Sequence, residues 1–400
     1  MQKIVFIIAL ILHSLVLFAS ENIIDEVDSL IDERQYEKAF MMLETNDPGN
    51  DSIDFVLRKA ELAYEYYSKT VMHQYFIFTN LEGDMTLDSL RAEEMEGDYK
   101  LFYFPFNDIL AEKLLDYPEE FELHKWLGLF YYLIYDLYEE EWLIPADNII
   151  ELAKHHLQVY AGVSEKPFKY SGKLGFVYLL SGEFTTSIYW IDEALKREPE
   201  NPELWYNKAS ANFYMERFDL ISENALRSAR YQDDPFFKAD AYRMAGIGFF
   251  QMNQLNEALE VLQKANDIFP GFHLTEIQLL ETKLLLNQNR RAFRLANDMF
   301  AANYSEPQVT NDILQAFLKV EEYRRLNRFF RRNKRVHRRN DEALGNLYFH
   351  EARFNLHKED RTEALKNFKT SRTYFEKSVD EYHYVFDIID EAIRQIENLQ

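Results

Sequence analysis

Small residues recur along the second half of this chain at a fixed interval, and that recurrence limits the fold more than any other feature. Gly175 and Ala209 lie 34 residues apart, and Gly246 follows in the next helical hairpin. Ala258, Ala292 and Ala364 mark a second fixed place in the later hairpins. Such a period belongs to a solenoid, in which each helix pair exposes an apolar face that only its neighbours can bury. A core that grows lengthwise frees the 400 residues from division into ordinary globular domains. Hydrophobic residues make up 47% of the chain, with only 12 Gly and 10 Pro, which excludes β-rich and disordered classes. The expected class is all-α, an α-solenoid of stacked antiparallel helix pairs.

In a 34-residue frame starting at Phe168, Gly175 takes place 8, Tyr178 place 11, Phe184 place 17, Ala194 place 27 and Pro199 place 32. The unit from Ala239 places Gly246, Phe249, Leu255, Ala258, Ala265 and Pro270 at 8, 11, 17, 20, 27 and 32. Between them, the unit from Pro202 has Trp205, Ala209 and Phe218, with Ile221 at place 20 and a three-residue extension through Asp233-Asp234-Pro235. Small residues are needed where helices approach most closely, aromatics fill the wider gaps, and proline stops the second helix. This pattern resembles the tetratricopeptide repeat family. Units from His273 and Pro307 keep the spacing with Leu280 and Leu314 at place 8, and a unit from Gly345 has Tyr348, Ala352, Ala364 and Phe368. Residues 379–400 contain an amphipathic closing helix with Val385, Ile388, Ile389, Ala392 and Ile396 on one side. The array proper is assigned to 161–378.

Residues 21–160 fit the pattern less well. Tyr36, Ala39 and Leu43 suggest a first hairpin over 23–45, and Leu127-Gly128 with Tyr131 opens an enlarged one ending near Tyr160. Residues 54–78 read as one long helix. The stretch 71–78 also has strand character, but no partner strand is evident nearby.

Residues 1–20 stand apart, with Lys3 before the apolar runs Ile4–Leu12 and Leu15–Ala19 and an acidic sequence from Glu21. This is the pattern of a secretory signal peptide cleaved after Ala19 or Ser20. The alternative, an uncleaved anchor, is short of the about 20 residues a span requires. Export to a bacterial periplasm or cell surface is the expectation. The chain has no cysteine, so disulfides, thiol catalysis and cysteine-ligated zinc are excluded.

The net charge of −23 is uneven: residues 21–160 hold 32 acidic and 10 basic side chains, whereas 161–400 hold 36 and 34. Nine of the sixteen residues from Arg324 to Arg339 are Arg or Lys. Leu326, Phe329, Phe330 and Asn333 share one side of the corresponding helix, and Arg324, Arg325, Arg328, Arg331, Arg332 and Arg335 the other, with Arg338 and Arg339 following. One reading is an anion site for an acidic glycan, a lipid headgroup or an acidic protein; the other is a solvated face, or one that pairs with the acidic half of this or a second copy in self-association. Nucleic acid is not expected, because the leader exports the chain and its overall charge is repulsive.

The family resemblance implies a non-catalytic scaffold that holds a protein or peptide partner on its first helices, and it puts the second helices, Arg324 to Arg335 included, on the outer surface. The corresponding groove positions here are Lys169, Phe176, Tyr206, Ser210, Phe213, Arg243, Ile247, Phe250, Asn311, Gln315, Phe349 and Arg353. The alternative for any one of them is packing against neighbouring turns. Catalytic patterns fail. His350-Glu351 has Phe354 where a metalloprotease needs its second histidine. Adjacent His155 and His156 diverge by about 100° on a helix and cannot chelate one metal by themselves. Gly246-Ile247-Gly248 lies within a helix and lacks the preceding strand of a nucleotide loop. No cofactor or metal is expected.

Overall fold

The computed structural model describes residues 22–94, 99–165, 168–380 and 383–398; the leader segment 1–20 lies outside them. The chain divides between Pro199 and Glu200 into two compact units. Among the described residues, no helix is long and apolar enough to cross a membrane.

The N-terminal unit begins with a hairpin of α1 (22–32) and α2 (Tyr36–Asn46), followed by α3 (Ile53–Glu65). Residues 54–78 are therefore not one helix. The chain leaves α3 at Tyr66 and forms β1 (Lys69–Val71) and β2 (Tyr75–Ile77), which pair antiparallel. Met72 and His73 between them have φ of 53° and 51°, the handedness a tight β-hairpin demands. After the short α4 (Leu87–Ala92), β3 (Phe102–Tyr103) pairs with β2 and completes the sheet in the order β1-β2-β3. The partner strand missing from the sequence reading thus lies beyond an intervening acidic segment. Alternation puts Phe76 and Phe78 on the buried side, joined by Phe102 and Phe104. Phe40 of α2 meets this aromatic layer, with ring centroids 4.5 Å from Phe78 and 5.0 Å from Phe102. Burying each of these rings contributes about 2–3 kcal/mol, which compensates for strands too short to stand alone.

Lys59 of α3 is fully buried, and its Nζ donates to Glu44 Oε2 at 2.8 Å, the Asp47 carbonyl at 2.7 Å and Asn50 Oδ1 at 2.8 Å. All three ammonium protons are satisfied, the condition for burying that charge. The unit continues through α5 (Phe106–Asp116), the long hairpin α6 (Phe121–Tyr138) and α7 (Ala146–Val163), and the hairpin α8 (Ser171–Leu180) and α9 (Phe184–Leu195). Gly128 lets α6 approach α7; a Cβ there would sit 2.9 Å from the Leu157 backbone nitrogen.

The C-terminal unit is a run of hairpins: α10 (Pro202–Tyr214) with α11 (Phe218–Tyr231), α12 (Pro235–Gln251) with α13 (Leu255–Ile268), and α14 (His273–Leu285) with α15 (Asn289–Ala302). Then follow α16 (Pro307–Lys319) with α17 (Tyr323–Val336) and α18 (Asp341–His357) with α19 (Arg361–Phe375); α20 (Val385–Glu397) packs on α19. Each first helix also touches the next first helix, α10 to α12, α12 to α14, α14 to α16 and α16 to α18, the stacking of a solenoid. On α20, Val385, Ile389 and Ile396 are buried, whereas Ile388, expected on the same side, is 47% exposed; one strip of the helix is enough to cover the end of the array.

A left-handed residue marks each turn within a hairpin. Gly182 ends the α8–α9 turn at φ 76°, and Glu216, Asn253, Asn287, Glu321 and Glu359 repeat the conformation at 56°, 58°, 58°, 55° and 62°. Each lets the chain reverse after a helix end.

Candidate functional site

A cleft of about 570 Å³ opens in the N-terminal unit between α1, α3, α6 and the residues leading into α8. Ile24, Leu57 and the indole of Trp126 supply its apolar surface, and Tyr170 stands at its edge. Trp126 is held from behind by Tyr64, at 5.7 Å between centroids, and from the side by the Lys125 ammonium, 4.3 Å from its centroid. Among the carboxylates of the cleft, Glu61 pairs with Arg58 and Glu122 with Lys125. Tyr160 also donates to Glu122 at 3.0 Å; burial and this carboxylate push its phenol up to about 12. Asp25, Asp54 and Glu65 are exposed and have no ion pair among the described residues. Lys169 stands at the rim with its ammonium 5.2 Å from the Tyr170 ring centroid, and the lining has five carboxylates against three cations. An apolar floor within an acidic rim can take an extended segment that presents an apolar side chain flanked by basic ones.

Of the groove positions read from the sequence, the structure puts Lys169 on this cleft, while Phe176 of the same unit packs edge-on against Tyr132 at 6.0 Å. The sequence reading missed Trp126, Arg58 and Glu61, because α3 and α6 lie where the repeat pattern is weak.

The remaining positions belong to the C-terminal unit, where Tyr206 with Arg243 and Asn311 with Arg353 take part in two polar chains. Tyr206 donates to Asp240, whose other oxygen accepts from Arg243 Nε at 2.6 Å. Burial and then Asp240 raise the Tyr206 phenol well above its ordinary range. Arg353 donates to Asn311 Oδ1 at 2.7 Å, and Asp312 beside it receives His273 Nε2 at 2.7 Å. Asp240, Asp312 and His273 were not singled out from sequence; the signal was there, since Asp240 and Arg243 lie one helical turn apart. The Ser210 hydroxyl is bound to the Tyr206 carbonyl at 3.1 Å, while Ile247 is half-buried and packs against the small core around Ala209 and Ala245. Phe250 carries the Lys319 ammonium 5.4 Å from its centroid, and Phe349 packs against His350 and Phe368. Phe213 and Gln315 are exposed.

On α17, Leu326, Phe329 and Phe330 are buried, and Asn333 reaches Asn297 Oδ1 at 2.8 Å. Arg324, Arg328, Arg331, Arg332 and Arg335 are exposed on the other side, with Arg338 and Arg339 in the turn that follows. None of these seven has a carboxylate partner among the described residues. Arg325 differs, being half-buried and paired with Glu322 at 3.1 Å.

The decisive regularity is in the array itself. From the α8–α9 hairpin onward, small residues meet the facing helix at close range: the Gly175 carbonyl accepts from Ser187 Oγ at 2.8 Å, that of Ala245 from Ser222 Oγ at 3.1 Å and that of Gly345 from Ser371 Oγ at 2.8 Å. The left-handed turn residues 182 and 216, and again 253, 287 and 321, recur at the same 34-residue spacing.

These hairpins are stacked helical repeats. Solved structures similar in fold include a tetratricopeptide repeat protein from Parabacteroides merdae, at 13% identity, 68% coverage of this chain, 98% of that chain and a TM-score of 0.43. Another is RapI in its apo form, at 12% identity over 89% of this chain and 97% of its own, with a TM-score of 0.46. YrrB, described as a tetratricopeptide repeat protein with an unusual peptide-binding site, is 10% identical over 55% of this chain and 91% of its own, with a TM-score of 0.35. No family model and no curated protein matches the sequence.

Proposed function

We propose that the chain is a non-catalytic, exported scaffold that holds a peptide segment of a partner protein in the cleft of its N-terminal unit. The observation that carries this reading is the cleft of about 570 Å³, whose floor is backed by the buried indole of Trp126 and whose rim bears the exposed carboxylates Asp25, Asp54 and Glu65. Its titratable groups are spent on ion pairs or solvated, and no nucleophile is set beside a base, so binding is the chemistry it supports. A photo-crosslinking side chain placed at Glu65 in intact cells is expected to capture a discrete protein, and one placed at exposed Glu151 on α7 is not. The double variant Asp25→Lys, Asp54→Lys, which changes two exposed side chains of the rim, is expected to reduce that adduct at least tenfold while leaving helix content unchanged. If only membrane lipid or polysaccharide is captured, the scaffold reading falls.

A second reading rests on the α17 face. Seven exposed arginines without carboxylate partners, on a chain of charge −23, could dock an anionic envelope polymer or lipid headgroup. It predicts that Arg328→Glu, Arg331→Glu, Arg332→Glu and Arg335→Glu together abolish binding to anionic phospholipid vesicles or to a sulfated polysaccharide. Substitutions in the cleft would leave that binding intact. Affinity that does not fall with added salt would remove this reading, since exposed charges act through a screened field.

A further inference from the structure

The α6–α7 hairpin brings together three histidines that the sequence separates. His155 and His156 are neighbours on α7 and diverge on the helix, so the pair has no common focus. His124, on the facing surface of α6, supplies one. Its Nδ1 lies 2.9 Å from His156 Nδ1, and its ring centroid is 4.9 Å from that of His156 and 5.9 Å from that of His155. One nitrogen from each ring falls within 4.8 Å of the others. Two imidazole nitrogens bound to one transition-metal ion at about 2.0–2.1 Å stand about 2.9–3.4 Å apart, for ligand angles between square and tetrahedral. The His124–His156 pair is already at that separation. A ring-to-ring hydrogen bond would account for these two alone and gives no reason for the third.

We propose that His124, His155 and His156 form a binding site for a divalent transition-metal ion, of which Zn²⁺ is the representative. The donor set selects the class: imidazole nitrogens favour zinc, copper, nickel and cobalt over magnesium and calcium, which require oxygen. His156 is buried and is stacked on Tyr131, with ring planes 14° apart, so one ligand is fixed. His124 is half-buried against it. His155 is exposed and makes no hydrogen bond among the described residues, so its ring can turn inward to close the set, leaving a further coordination position to water. Burial, and then the other two rings, hold His156 down to about 3, and burial and His155 lower His124 as well. The neutral imidazole is the form that ligates. The ion would clip α6 to α7 beside Glu122 and Lys125, two residues of the cleft, and so would set the hairpin that forms one of its walls.

Calorimetric titration of the full, untagged, metal-free chain with Zn²⁺ tests this. One ion per chain is expected, together with a raised Tm, since a ligand that binds only the native state stabilises it. His155→Ala changes an exposed side chain and should fold normally; it is expected to weaken binding at least tenfold and to abolish the shift in Tm. His124→Ala should do the same, whereas His357→Ala on α18 should change neither. Co²⁺ in place of Zn²⁺ gives a second readout, a ligand-field absorption that is present in the wild type and lost in His155→Ala. Absence of binding by the wild type, or undiminished binding by His155→Ala, overturns the proposal.

Discussion

Replacing Gly248 by alanine is expected to destabilise the C-terminal unit by about 3 kcal/mol or more, the largest loss from adding a single methyl group in this array. A Cβ at Gly248 would stand 2.7 Å from the Phe218 carbonyl oxygen, 3.0 Å from the Ser222 amide nitrogen and 2.3 Å from Ser222 Oγ. Two of those atoms are α11 backbone, which cannot turn aside as a side chain can, so α11 and α12 must separate. Gly246 is the control two residues earlier. Its added Cβ would meet only the Leu262 side chain, 2.7 Å from Cδ2 and from Cγ, and alanine gains about 1 kcal/mol of helix propensity over glycine. Gly246→Ala should therefore be much milder. Urea midpoints followed by circular dichroism give the ranking; equal midpoints for the two variants would refute this account of the α11–α12 contact.

A steep loss of stability on mild acidification is the second large effect. Burial, with Arg353 nearby, holds His350 of α18 down to about 3. Burial, with Arg91 nearby, holds His73 of the β1–β2 turn down to about 4, and its Nδ1 lies 2.8 Å from the Tyr138 hydroxyl. Both are fully or almost fully enclosed. The unfolded chain protonates each near pH 6.5, so below that value it binds more protons than the native state. The stabilisation is present above about pH 6.5 and is lost as pH falls towards 4 for His73 and towards 3 for His350. Each histidine adds a slope of up to about 1.4 kcal/mol per pH unit, on the order of 3 kcal/mol across the window for His73 and 5 kcal/mol for His350. Acidification also relieves repulsion among the carboxylates, which acts in the opposite direction. The informative quantity is therefore the difference between wild type and His350→Gln in chemical denaturation from pH 7 to pH 4. The variant should show the flatter dependence; parallel curves would mean that His350 takes up its proton as readily in the native state as in the unfolded chain.

How much of this was legible beforehand followed local regularity. From Phe168 onward the small residues and aromatics mark successive hairpins, although α12 and α18 start at Pro235 and Asp341, ahead of the units framed from Ala239 and Gly345. The sheet was not legible, since its pairing is non-local: Phe76 finds Phe102 across an acidic segment that carries no strand signal. The cleft was only partly legible for the same reason. Lys169 belongs to a regular unit and was singled out as a groove position, whereas Trp126 and Glu61 lie on helices with no repeat signature. The histidine cluster shows the limit most plainly: the adjacency of His155 and His156 on one helix was legible, but the sequence gives no indication that His124 faces them.

The ladder of left-handed turns has a consequence for how such a chain can change length. Its two long intervals, 216 to 253 and 321 to 359, exceed the common spacing by three and four residues. In both cases the surplus lies in the first helix: α12 and α18 each have 17 residues, against 13 in α10, α14 and α16. Three or four residues bracket one helical turn, about 3.6 residues. An addition of that size lengthens the helix and returns its apolar stripe to the same side, whereas one or two residues would rotate the stripe towards water. Length in this molecule is thus quantised by the helical pitch.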